Sequence, residues 1–249
     1  MIWAVLIGNT RAVAALIEGP VIHRRQIVLT DSLRKIQPAL AWAKRIRKLR
    51  GTQGIIVASV VPPVDPIIRR AVENHFGYQP LFVSSKSMLG IKIKVKKPSQ
   101  VGADRLANAV AAKMIYGAPA IVVDYGTGTT FDVIDKSGAY CGGAILPGIG
   151  ISLRALHDFT AKIPNIKFKR VRFAIGKTTE EAVRSGIYHG ALGTTRELLF
   201  QIRKELGASA PSVATGGWCR VFEKSNLFQN IEPDLTLKGL SLIWQNHRA

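Results

Sequence analysis

Short apolar blocks, cut by glycine, proline and small polar residues, set the rhythm of this chain. Residues 2–7 (Ile-Trp-Ala-Val-Leu-Ile) predict an apolar strand, Gly8-Asn9-Thr10 a turn, and Ala12 to Ile17 a returning strand. Residues 38–50 carry Trp42, Ala43, Ile46 and Leu49 at helical spacing. Gly54 to Val61 reads as a buried strand stopped by Pro62-Pro63. Val64 to Phe76 reads as a helix that tolerates Pro66 in its first turn. Leu81 to Val83 predicts another strand, and the alternation over Ile91 to Val95 an edge strand. Gly102-Ala103-Asp104-Arg105 opens a helix whose apolar side holds Leu106, Ala107, Val110, Ala111 and Met114.

After Tyr116-Gly117 the pattern restarts. Ala120 to Asp124 and Phe131 to Asp135 predict strands around Tyr125-Gly126-Thr127-Gly128-Thr129-Thr130. Tyr140-Cys141 leads into Gly142-Gly143 and Pro147-Gly148, which predict a close-packed loop before a helix over 152–159. Thr178-Thr179-Glu180-Glu181 fits a capping box for a long helix. Gly186, Gly190 and Gly193 along it suggest close packing against another element. Ser212 to Gly217 predicts a strand running into a glycine turn, and Leu235 to Asn246 a final helix.

The restart is informative because Val5 to Thr10 and Val123 to Gly128 begin similar strand–turn–strand units. Two lobes of like topology follow, 1–116 and 117–249, with a cleft between them and a turn facing it from each. Glycine lets backbone N–H groups approach an anion, threonine hydroxyls add donors, and an aspartate entering such a turn can hold a cation. The stretch from Asp124 to Asp132 therefore reads as a phosphate-and-metal turn or as an ordinary Gly/Thr hairpin. In the same alignment Leu6 stands where Asp124 stands, so the first turn lacks a carboxylate.

At 249 residues, 47% apolar and 20% charged, the chain is long enough for a large core and has a globular composition. No apolar run approaches the ~20 residues of a membrane span, and the first strand has no basic leader, which predicts a cytoplasmic protein. Cys141 and Cys219 form no ligand spacing and read as reduced thiols, and five scattered histidines show no metal spacing. Net charge is +19, concentrated in Lys44 to Arg50 and Lys92 to Lys97. Neither run interleaves aromatics as a single-strand groove does, so no specific nucleic acid is expected. Such charge favours loose association with polyanions.

Together these segments resemble the type III pantothenate kinase family of the acetate and sugar kinase, Hsc70 and actin superfamily, over nearly the whole chain and in order. The resemblance rests on Ile7-Gly8-Asn9-Thr10, Ala58 to Pro62, Gly102-Ala103-Asp104-Arg105, Asp124 to Thr130, Gly142 to Gly148, Thr179, Gly186, Ala214 to Gly217 and Pro233 to Leu240. It implies an α/β fold of two actin-like, ribonuclease H-like lobes, each a mixed sheet flanked by helices. It implies a kinase that moves the γ-phosphoryl group of ATP to pantothenate, the first step toward coenzyme A.

Carried over by residue, Asp104 would be the catalytic base; without the resemblance it reads first as a carboxylate complementing a helix dipole. Gly102, Arg105 and Thr179 would contact pantothenate, with Val95 where the family has a tyrosine. A guanidinium such as that of Arg105 can hold a carboxylate bidentately. Gly8, Asn9, Thr10, Thr127, Thr129 and Thr130 would meet the ATP phosphates, and Gly216 and Gly217 the adenosine. Asp124 would hold a monovalent cation, K+ or NH4+, and Mg2+ would accompany ATP. The chain would be a homodimer, with Thr179 acting across the interface. Leu6 and Val95 depart from the family pattern, and an isobutyl group cannot ligate a metal or its water. A second reading is a kinase-like protein without turnover, a binding or regulatory accessory factor.

Overall fold

The computed structural model describes residues 1–46 and 51–248. The end of the helix expected over 38–50, with the basic run's Arg47, Lys48 and Arg50, lies outside the described residues. The chain divides into two compact units, Met1–Met114 with Leu235–Ala249, and Ile115–Asp234.

In the first unit, β1 (Ile2–Ile7) pairs antiparallel with β2 (Arg11–Glu18), and β2 with β3 (Val21–Leu29). On its other side β1 runs parallel to β4 (Ile55–Ser59), which is followed by the short β5 (Leu81–Phe82), giving the order β3-β2-β1-β4-β5. β1 is central and is buried on both faces, which is why its sequence is unbrokenly apolar. Trp3, Val5 and Ile7 pack with Trp42 and Ala43 of α1 (Ile36–Arg45) and with Ile68 and Val72 of α2 (Asp65–Phe76). Ile2 and Ala4 face the other way, onto Leu106 and Val110 of α3 (Ala103–Tyr116).

That second face is also covered by α6 (Leu235–Arg248), through Leu237, Leu240 and Ile243. The last helix, expected with the second lobe, therefore folds onto the first sheet. Two hydrogen bonds hold it there: Thr236 Oγ1 donates to Asn108 Oδ1 (2.7 Å) and Asn246 Nδ2 to the carbonyl of Leu89 (3.1 Å). The expected edge strand at Ile91–Val95 is irregular, with one isolated bridge at Ile93; Ile91 and Ile93 still pack inward.

The second unit repeats the plan. β6 (Ala120–Tyr125) pairs antiparallel with β7 (Gly128–Ile134), β7 with β8 (Tyr140–Pro147), and β6 runs parallel to β9 (Ser212–Thr215), which pairs with β10 (Asn230–Ile231). The expected loop at 142–148 is thus mostly strand β8, irregular where Tyr140 to Gly142 meets β7. α4 (Ile149–Asp158) and the long α5 (Thr179–Leu206) cover the face that carries Ile121, Val123, Tyr125 and Phe131. No described helix is long and apolar enough to cross a membrane.

The glycines of α5 do not mark close packing among the described residues. A Cβ added at Gly186, Gly190 or Gly193 would meet nothing within 4 Å. Helical glycine costs about 0.5–1 kcal/mol relative to alanine. Gly190→Ala is therefore expected to stabilise the chain by about that amount, seen as a Tm rise of a few degrees in thermal unfolding. A lower Tm would show that a second surface packs against this helix.

Candidate functional site

The second turn is built by register. Asp124 on β6 is the Cα partner of Thr130 on β7 and of Thr215 on β9. Paired residues in a sheet share a face, so Thr215, Asp124 and Thr130 form one polar row across three strands. Asp132, two residues along β7, continues that face. It is fully buried and accepts hydrogen bonds from Tyr140 Oη (3.3 Å) and Thr130 Oγ1 (3.4 Å). Thr215 is also fully buried, yet its hydroxyl has no hydrogen-bond partner. Gly216 follows at φ +86°, and a Cβ there would run into Asp124 Oδ1 and the backbone of Tyr125. Only glycine suits this left-handed conformation beside the carboxylate.

The turn itself closes with Gly126 N–H donating to the carbonyl of Gly128 (3.0 Å), leaving Thr127 exposed. Gly148, at the start of α4, lies against it: a Cβ there would meet the carbonyl oxygens of Thr127 and Gly126. The three threonines are not equivalent. Thr130 shares the face of Asp124, whereas Thr129, one residue away, shares the opposite face with Tyr125 and Phe131. There it lines a cavity of about 270 Å³ with Tyr125, Leu146, Ser152, Gly190 and Thr195. The Tyr125 hydroxyl is hydrogen-bonded to Thr195 Oγ1 at 2.7 Å, and burial pushes the phenol's pKa up. Cys219 is buried beside these groups, and burial pushes its thiol up to about 11, so it is no thiolate nucleophile at neutral pH.

In the first unit the matching turn closes with Gly8 N–H donating to the carbonyl of Arg11 (3.0 Å), and Asn9 and Thr10 are exposed. Thr30, after β3, clamps this turn. Its Oγ1 donates to the carbonyl of Gly8 (2.6 Å) and its N–H to that of Thr10 (3.1 Å). Thr30 is buried, and a lone threonine after a polar edge strand carries no motif that would mark it in the sequence. Leu6 pairs with Val13 and with Ala58, so the row equivalent to Thr130–Asp124–Thr215 is Val13–Leu6–Ala58, apolar throughout.

Also in the first unit, Asp104 is in the first turn of α3, half-buried, with Oδ1 accepting from the N–H of Arg105 (2.8 Å). Burial raises its pKa above the ordinary carboxylate value, and the backbone donor and the guanidinium of Arg105 only partly oppose this. Arg105, Gly102 and Val95 are half-buried within the same unit. In the second unit Thr179 opens α5 and is exposed. The helix is capped by Thr178, whose Oγ1 accepts from Glu181 N–H (3.2 Å), so the cap does not use the Thr179 hydroxyl. Gly217 is exposed just beyond Gly216. Among the described residues no three His, Cys, Asp or Glu side chains gather as a metal cluster. A cation at Asp124 would therefore draw on hydroxyl, backbone and phosphate oxygens as well.

The model of the type III pantothenate kinase family matches residues 3–201. A type III pantothenate kinase from Rhodospirillum rubrum is 40% identical over 255 residues, covering 100% of this chain and 99% of the relative. One from Listeria monocytogenes serotype 4a is 43% identical over 197 residues, covering 79% and 76%. Among solved structures, a Campylobacter jejuni protein described as a Baf family transcriptional activator aligns with a TM-score of 0.61 at 19% identity, covering 99% of this chain and 100% of that one. A Cytophaga hutchinsonii protein described as a sugar kinase aligns at 0.55 and 13%, covering 98% and 99%. These two likenesses bear on fold: two mixed sheets, each flanked by helices.

Proposed function

This chain belongs to the type III pantothenate kinase family and transfers the γ-phosphoryl group of ATP to pantothenate, and from that premise we propose how its residues divide the work. The observation that carries the assignment is likeness at about 40% identity over the full chain, together with the family model's match to residues 3–201. Phosphoryl transfer needs positioning and charge neutralisation more than covalent chemistry.

Asp104 accepts the proton of the pantothenate hydroxyl as it attacks. Its raised pKa supports this, because a carboxylate of higher pKa is a stronger base and takes a proton more readily. Arg105, the next residue, holds the substrate carboxylate, with Gly102 and Val95 lining the same site. Gly8, Asn9 and Thr10 offer donors to the phosphates from the first turn, and the second turn offers Thr127 and Thr130. Thr129 contributes through its backbone, because its side chain shares the other face of the sheet. Gly216 and Gly217 pass beside the adenosine.

The residues at Asp124 fit a monovalent cation: a carboxylate, a buried hydroxyl without a partner and a glycine that leaves the carboxylate room. A bound cation there, with Mg2+ on the nucleotide, would neutralise phosphate charge. Leu6 serves packing, with Val13 and Ala58 as register partners, and leaves cation binding to the second unit. The chain works as a homodimer in the cytoplasm, with Thr179 reaching pantothenate in the partner; its exposure and freedom from capping support this.

The direct test is the reaction. Purified protein with ATP, Mg2+ and K+ is expected to convert pantothenate to phosphopantothenate, detected by mass spectrometry, and to sediment at twice 27.1 kDa. Absence of the product under these conditions defeats the assignment.

A further inference from the structure

We propose that Thr215 supplies a hydroxyl-oxygen ligand to the monovalent cation beside Asp124, an inference that rests on the reading of Asp124 as that cation's site. Thr215 is fully buried and its Oγ1 has no hydrogen-bond partner, so the hydroxyl is not satisfied by Asp124 or by any backbone carbonyl. A buried hydroxyl without a partner is rare, because it has lost water and gained nothing in return. Thr215 is the Cα partner of Asp124 in parallel register, which puts both side chains on one face of the sheet. A cation between two such groups takes up the lone pairs of both, and alkali cations prefer several neutral oxygens around a single carboxylate.

The internal repeat supports the same conclusion independently. Topology and register make Leu6 the counterpart of Asp124, Val13 that of Thr130, and Ala58 that of Thr215. All three positions are polar in the second unit and apolar in the first. If Thr215 only packed the end of β9, its polarity would have no reason to follow that of Asp124. Gly216, next in the chain, is the residue whose missing side chain leaves room for the Asp124 carboxylate, so one short segment both spaces the carboxylate and adds the hydroxyl.

The experiment measures K+ affinity by thermal unfolding of the full-length protein with an ATP analogue and Mg2+. KCl is titrated against tetramethylammonium chloride at constant ionic strength. The wild type is expected to gain Tm with K+. Thr215→Val is expected to weaken K+ at least about tenfold, while its Tm without K+ stays the same or rises, since a methyl replaces an unsatisfied hydroxyl. Thr215→Ser and Thr215→Ala control for packing: both lose the methyl, but only Ala loses the oxygen, so Ser is expected to bind K+ at least about tenfold more tightly than Ala. Equal affinities for Ser and Ala, or a Val variant as tight as wild type, overturn the role of Thr215 and leave the Asp124 site standing. A wild type without any K+ response overturns the Asp124 site and this inference with it.

Discussion

Replacing Asp104 by Asn is expected to lower kcat by about 10²–10⁴-fold, the usual contribution of a positioned general base, while binding of an ATP analogue by calorimetry stays unchanged. Unfolding will not explain the loss. The Asp104 pKa is raised by burial, so the folded chain holds this proton more tightly than the unfolded chain and the ionised carboxylate costs stability. That cost is fully present above the raised folded-state pKa. It fades as pH falls from there toward the unfolded value of about 4 and is absent below it. Asn carries no charge to desolvate. The Asp104→Asn variant should therefore melt at the same temperature as wild type or higher near neutral pH, with the difference closing in acid. In the wild type, kcat/KM should fall on the acid side as Asp104 takes up its proton, with a midpoint above the ordinary aspartate value. A variant that keeps its turnover, or an acid limb at or below about 4, would remove Asp104 from the base role.

Gly148→Ala should also be damaging, for a different reason. Gly148 has φ −73° and ψ 163°, a conformation open to any residue, so backbone strain is not at issue. The obstacle is the carbonyl of Thr127, into which the new methyl would run, with that of Gly126 at 2.7 Å. Both belong to the backbone of the second turn, and neither can rotate away as a side chain would. The turn or the start of α4 must move. Overpacking of this kind costs about 1–3 kcal/mol, a Tm loss of roughly 2–12 °C in a chain of this size. Displaced turn donors should raise KM for ATP by at least about tenfold. The same substitution at Gly190 is expected to stabilise, because open space lies where its Cβ would go. The pair separates glycine as a requirement of contact from glycine as a local cost. If Gly148→Ala melts like the wild type and binds ATP normally, the turn is softer than this contact implies.

How much of the site was legible depended on the range of each signal. The two strand–turn–strand units could be read because apolar runs, glycines and threonines lie within ten residues of one another, and local chemistry shapes such turns. The division of labour among Thr127, Thr129 and Thr130 was already implicit in the alternation of a strand, which turns neighbouring side chains to opposite faces. β3 is not legible in the sequence because this edge strand is exposed along much of both faces and shows no clean alternation. In sequence β8 reads as a loop because its glycines resemble turn residues, although in a strand they can mark irregular pairing.

The sequence by itself determined where the turns fall, where α3 begins with its Asp-Arg pair, and that the first turn lacks the carboxylate of the second. These are properties of period and residue type. Only the tertiary structure decided that α6 joins the first sheet, that Thr30 clamps the first turn, that open space surrounds the α5 glycines, and that Thr215 stands beside Asp124 with its hydroxyl unsatisfied. Each depends on strands and helices far apart in the chain meeting in a particular register. Register between strands distant in the chain is set by the apolar patterns of both and the face they bury together, which neither segment encodes alone.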